Sequence, residues 1–131
     1  MGRETYRAAG VDIDRVKDAI GALTGKVTFR RKGPYGMLGG VGHYAGLIDF
    51  GTHVLALTTD GVGTKMLVAD ALADWRTVGI DCIAMNANDL FVMNVEPVAF
   101  VDYIAIQDPD PDTIEQLAVG LKKGAEIAKI N

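Results

Sequence analysis

The run Thr58-Thr59-Asp60-Gly61-Val62-Gly63-Thr64-Lys65 concentrates the residue types that handle phosphate. An apolar stretch ends in a carboxylate, and a glycine turn then delivers a lysine to the start of a helical pattern. Glycines leave backbone N–H groups open, a helix N-terminus adds partial positive charge, and lysine neutralises oxygens. Asp60 beside such a loop suits Mg²⁺, which takes one or two carboxylates together with phosphate oxygens and water. The spacing is not that of a Walker A loop. A plain strand-to-helix turn explains the same residues, so both readings stay open.

Asn86, Asn88 and Asp89 interrupt an otherwise apolar helical pattern. A buried carboxylate needs a partner or a metal. Asn86 and Asp89 stand three apart and share a helix face. A kink or a polar contact to a neighbouring loop accounts for them equally well. If Asp60 and Asp89 converge, they form a two-carboxylate Mg²⁺ site built from two elements. Asp81 reads as an exposed acid near a helix start, where the dipole favours it. Six glycines fall between Gly33 and Gly46, and the cluster at Gly36 to Gly46 reads either as a lid over phosphates or as a surface loop. His43 in that stretch is a weak candidate acid or base, and His53 reads as structural. Trp75 and Tyr103 read as core or interface residues. Cys82, the single cysteine, sits in an apolar run and reads as a small buried hydrophobe.

These residues need elements to position them. Asp12–Ala22 carries a short helical pattern, and Tyr44–Phe50 with His53–Thr59 forms a hairpin about Gly51-Thr52. Lys65–Trp75 and Thr77–Asn94 show helical spacing, the second with a wide apolar face. Pro97–Ile106, rich in Val, Phe, Tyr and Ile, predicts a strand opened by proline. Asp110-Pro111-Asp112 then caps a final helix. The expected architecture is α/β or α+β, a small mixed sheet with helices over one face. It forms a single domain over 1–131, with 1–43 a flexible arm carrying a helix and the glycine loop, and 44–131 the sheet and helices. Three strands make a thin sheet, and the chain stops where another strand is the natural continuation. The chain therefore reads as a fragment.

Composition narrows the classes. The 131 residues are 49% hydrophobic and 23% charged, which fits a folded globular chain. Thirteen Lys and Arg against 17 Asp and Glu give a net charge of −4, too acidic for a nucleic-acid footprint. Arg30-Arg31-Lys32 reads as a solvated basic loop. No leader pattern is visible in Met1–Gly10 and no stretch is long enough for a membrane span, so a cytoplasmic location is expected.

Thr59-Asp60-Gly61-Val62-Gly63-Thr64-Lys65, followed by Gly79-Ile80-Asp81-Cys82-Ile83-Ala84-Met85-Asn86-Ala87-Asn88-Asp89-Leu90, resembles the aminoimidazole ribonucleotide synthetases, or phosphoribosylformylglycinamidine cyclo-ligases. Tyr6–Asp14, Leu38–Gly42 and Glu96–Tyr103 extend the likeness along nearly the whole chain. Formylglycinamidine ribonucleotide synthetase, thiamine monophosphate kinase, selenophosphate synthetase and a hydrogenase maturation protein share the layout. The full Asp-Gly-Val-Gly-Thr-Lys string favours the cyclo-ligase.

The resemblance implies ATP- and Mg²⁺-dependent closure of formylglycinamidine ribonucleotide in purine synthesis. It implies Asp60 and Asp89 as metal ligands, and Gly61, Gly63, Thr64 and Lys65 at the triphosphate. Gly39, Gly40 and Gly42 would close over it, and Lys65 would stabilise the transferred phosphoryl group. It further implies a homodimer whose paired sheets form a barrel. Family members run more than twice as long, which points to a second half, covalent or separate, without which this chain would have little ring-closing activity. Trp75-Arg76-Thr77 replaces a common His-Asp-Thr, His43-Tyr44 replaces small residues, and Asn86 replaces a small one. The alternative is a non-catalytic nucleotide-binding or dimerisation module.

Overall fold

A computed structural model describes residues 12–131, so the leader reading and the Tyr6–Val11 part of the resemblance lie outside the described residues. The order is α1 (Ile13–Lys26), β1 (Met37–Leu38), β2 (Gly46–Asp49), β3 (Val54–Leu57), α2 (Lys65–Leu72), α3 (Val78–Val92) and α4 (Pro111–Ala128). The class is α+β. The sheet is antiparallel throughout rather than mixed, in the order β1-β2-β3.

The hairpin forms where the alternation places it. Leu47 faces Ala56 and Ile48 faces Leu55, while Gly51 (φ +80°) turns the chain. Phe50 N–H donates to His53 O at 2.9 Å, and the Asp49 carboxylate accepts Gly51 N–H at 2.9 Å. The third strand is not the expected one. It comes from the glycine stretch, where Met37 pairs with Ile48 and Leu38 with Leu47. Pro97–Ile106 forms no strand, because a strand needs a ladder partner beside it. Its backbone bonds run to the last residue instead: Phe100 N–H to Asn131 O at 2.8 Å and Asn131 N–H to Val98 O at 3.3 Å. Val101 and Tyr103 stand 93% and 92% exposed, so Tyr103 is not a core residue.

Helix ends follow local chemistry. Asp110 caps α4 by accepting Thr113 N–H at 2.9 Å and its hydroxyl at 2.7 Å, with Pro111 in the first turn. α2 stops short of Trp75 because Ala73 turns left-handed (φ 49°). α3 ends at Val92, and just beyond it Asn94 turns left-handed (φ 56°) while Val95 N–H reaches back to Leu90 O at 3.0 Å.

The core lies between α3 and α4, around buried Val78, Gly79, Ile83, Ala87, Gly120 and Gly124. Backbones meet there: a Cβ on Gly79 would fall 2.6 Å from Leu117 O, and one on Gly120 would fall 2.9 Å from Gly79 N. α1 buries no residue, and its stripe of Ile13, Val16, Ile20 and Leu23 is exposed. Among the described residues no helix is long and apolar enough to cross a membrane.

Candidate functional site

The chain leaving β3 passes across one face of α3, and two side chains of that face hold it. The Thr58 hydroxyl lies 2.9 Å from Tyr44 O and 3.2 Å from Asp89 Oδ2, tying the hairpin to the helix. One turn earlier on the helix, Asn86 Oδ1 accepts Asp60 N–H at 2.8 Å. Its Nδ2 donates to Asp60 O at 3.1 Å and to Cys82 O at 2.9 Å. Asn86 and Asp89 are thus the polar contact to a neighbouring loop. Asp89 holds the loop at Thr58 and Asn86 holds it at Asp60, with Asp60 exposed and Asp89 half-buried.

The Asp60 carboxylate accepts Gly61 N–H at 2.7 Å. Gly63 adopts φ +69°, a left-handed conformation that favours glycine, and lets the chain enter α2 at Lys65. Lys65 Nζ lies 2.8 Å from Asp81 Oδ1 in the first turn of α3, with both side chains partly exposed. Asp81 is therefore the lysine's partner. Sequence spacing gave no sign of it, because the pair joins two helices.

A cavity of about 680 Å³ opens beside the loop, between the end of β3, α3, α4 and the extended segment 97–105. Its walls include Thr58, Asp60, Cys82, Asn86, Leu117 and Tyr103. Gly39, Gly40 and Gly42 do not line it, and they stand in open space with Gly39 and Gly42 at positive φ. Burial, then the charges of Asp102 and Asp60, push the half-buried Cys82 thiol up, which keeps it protonated. His53 Nδ1 pairs with the Thr52 hydroxyl at 2.8 Å in the hairpin turn. The basic loop serves its own backbone: Arg30 reaches Val27 O, and Arg31 reaches Pro34 O while lying over the Tyr35 ring.

Trp75-Arg76 closes the turn before α3. Trp75 N–H donates to Gln116 Oε1 at 2.9 Å, and Arg76 grips Asp74 through Nε at 2.9 Å and Nη2 at 2.6 Å. That fork, with the Arg76 backbone N–H, lowers the Asp74 carboxyl from 3.8 to about 2. A depressed folded value means the pair stabilises the fold above the ordinary carboxylate range and is lost as pH falls through about 2. In Arg76→Ala the Asp74 midpoint should return toward 3.8, read by carboxyl ¹³C NMR titration. A midpoint that stays near 2 would assign the shift to another group.

A small antiparallel sheet feeding a glycine loop that a helix face holds by two polar side chains defines the class: an α+β domain whose sheet-to-helix loop is anchored on α3. Residues 42–131 match the family described as AIR synthase related protein, N-terminal domain. The chain is 50% identical over 127 residues to a phosphoribosylformylglycinamidine cyclo-ligase of Methanococcoides burtonii, and 51% identical over 127 residues to one of Methanosarcina mazei. Each alignment covers 97% of this chain and 38% of the relative. A cyclo-ligase of Pyrococcus furiosus is 50% identical over 129 residues, covering 96% of this chain and 39% of its own. The chain belongs to the AIR synthase related protein family, as its N-terminal domain. It spans about 38% of the length of these relatives.

Proposed function

We propose that this chain is the ATP-binding part of a cytoplasmic cyclo-ligase that converts formylglycinamidine ribonucleotide to 5-aminoimidazole ribonucleotide, releasing ADP and phosphate. The observation that supports this is the double anchoring of the loop on α3, Thr58 bonded to Asp89 and Asp60 to Asn86. Two carboxylates are what Mg²⁺ takes when phosphate oxygens and water complete its shell. Mg²⁺ would supply charge neutralisation between the phosphates.

The chain's own residues would do the rest. Gly61, Gly63 and Thr64 would bring backbone N–H groups to the triphosphate, and Gly39, Gly40 and Gly42 would fold over it. Lys65 would exchange Asp81 for a phosphoryl oxygen. A partly exposed ion pair is worth little, so the exchange costs little. Transfer to the formyl amide oxygen would then let the amidine nitrogen close the ring and expel phosphate. Such a reaction depends mainly on positioning and charge neutralisation. Residues from a C-terminal half, covalent or separate, would complete the site.

A homodimer fits the exposed apolar surface. Val54 and Leu57 on β3, with Val98, Val101 and Tyr103 on the extended segment, are more than half exposed. Exposed apolar side chains of this kind suit an interface, and a second copy would supply the ladder that segment 97–106 lacks.

Calorimetric titration with a non-hydrolysable ATP analogue tests the nucleotide site. Binding should require Mg²⁺ and weaken sharply when it is chelated. Absence of binding at millimolar analogue, with the fold intact by circular dichroism, would leave the dimerisation role standing and remove the nucleotide role from this chain alone.

A further inference from the structure

We infer that Asn86 is a positioning residue that sets the Asp60 carboxylate in register with Asp89, a role that rests on the nucleotide site proposed above. Asn86 is 8% exposed and is a buried polar side chain on a helix whose other buried residues are Val78, Gly79, Ile83 and Ala87. An amide placed there without partners is costly to desolvate. Every strong group it carries is used: Oδ1 takes Asp60 N–H, and Nδ2 serves both Asp60 O and Cys82 O. The orientation of the amide is forced, since Asp60 offers a donor and an acceptor that only one rotamer can match.

Bonds to both the N–H and the C=O of one residue do more than hold it close. A single bond leaves Asp60 free to swing about it, whereas a reciprocal pair fixes both position and rotation. The chain between β3 and α2 belongs to no regular element, so its placement depends on bonds of this sort. The Thr58 hydroxyl contact to Asp89 supplies a second anchor two residues upstream. Asn86 and Asp89 project from one face of a rigid helix. Asn86 therefore fixes the Asp60 main chain relative to Asp89, and the Asp60 carboxylate, turned onto Gly61 N–H at 2.7 Å, starts from that fixed root before any ligand arrives. Removal of a group that orients a metal ligand weakens metal affinity roughly 10- to 100-fold.

The test uses the full 131-residue chain, an ATP analogue and Mn²⁺ as the paramagnetic probe. Asn86→Leu keeps the branching at Cγ and removes all three bonds. Asn86→Ser keeps a hydroxyl able to bond Cys82 O four residues back and removes only the Asp60 pair. Ile83→Val loosens the same helix without touching Asp60. Electron paramagnetic resonance titration should show Mn²⁺ affinity falling roughly tenfold or more in both Asn86 variants and unchanged in Ile83→Val. In the wild type, Mn²⁺ should broaden the Asp60 amide and the Asn86 side-chain amide signals, a readout that needs no variant to fold.

Wild-type affinity in the Asn86 variants, or a loss matched by Ile83→Val, would overturn the positioning role and leave the nucleotide site standing. Unbroadened Asp60 and Asn86 signals beside bound Mn²⁺ would also overturn it. A wild-type chain that binds no analogue with Mn²⁺ would remove the nucleotide site and this role together.

Discussion

Gly79→Ala is expected to destabilise the chain by about 3 kcal/mol, the upper part of the range for overpacking a filled core. The added methyl would meet main chain, 2.6 Å from Gly120 C and Leu117 O, and no side chain there can swing aside. Relief requires α3 and α4 to separate along their whole contact, which carries most of the buried apolar residues. Gly120→Ala should cost as much for the reciprocal reason, since its methyl would press on Gly79 and on Arg76 O. A loss of this size lowers the melting temperature by about 10 °C for a domain of this length.

Gly124→Ala gives the contrast. Its Cβ would lie 3.1 Å from the Ile83 side chain and 3.3 Å from Ile80 Cα, a tight fit to a group that can move. Alanine also gains about 1 kcal/mol of helix propensity over glycine, so the net change should stay within about 1 kcal/mol. Thermal melts of the three variants check the ranking. If Gly79→Ala melts like Gly124→Ala, the helices do not cross at Gly79 and Gly120.

The second large effect concerns the carboxylates. Asp60→Asn and Asp89→Asn should each weaken Mg²⁺-dependent analogue binding by about 2–3 kcal/mol, or roughly 30- to 150-fold. Both substitutions remove charge while leaving the local architecture served. An asparagine at 60 still offers an oxygen to Gly61 N–H, and one at 89 still accepts the Thr58 hydroxyl. Stability should therefore change little, and calorimetry with and without Mg²⁺ should show the loss only in the metal's presence. Equal weakening in both conditions would place the carboxylates against the nucleotide itself. No weakening in either variant would put the metal elsewhere.

Much of this was legible in the residues. The Asp110-Pro111 pair marks the start of α4 because a cap and a first-turn proline act within one turn. The Gly51-Thr52 hairpin is equally local, since alternation on each side sets its register. Asp60, Gly61, Gly63 and Lys65 stand together as a loop entering a helix because a strand end, two glycines and a lysine are consecutive. Local preference alone misplaced the third strand. Pro97–Ile106 has strand composition, yet a strand exists only where another backbone lies alongside, and Met37–Leu38 took that place beside β2.

Contacts between distant elements were decided by the tertiary structure alone. Gly79 and Gly120 read as ordinary helix glycines until α3 and α4 are seen to touch main chain to main chain. Asp81 reads as a dipole-favoured acid until α2 brings Lys65 within 2.8 Å of it. Asn86 and Asp89 could be placed on one helix face by spacing, but spacing does not say what crosses that face. The physical reason is the same in each case. Propensity, capping and turn chemistry act over a few residues and are written in order along the chain. A hydrogen bond or a backbone approach across the fold depends on where packing sets two elements, and no short stretch of sequence carries that distance.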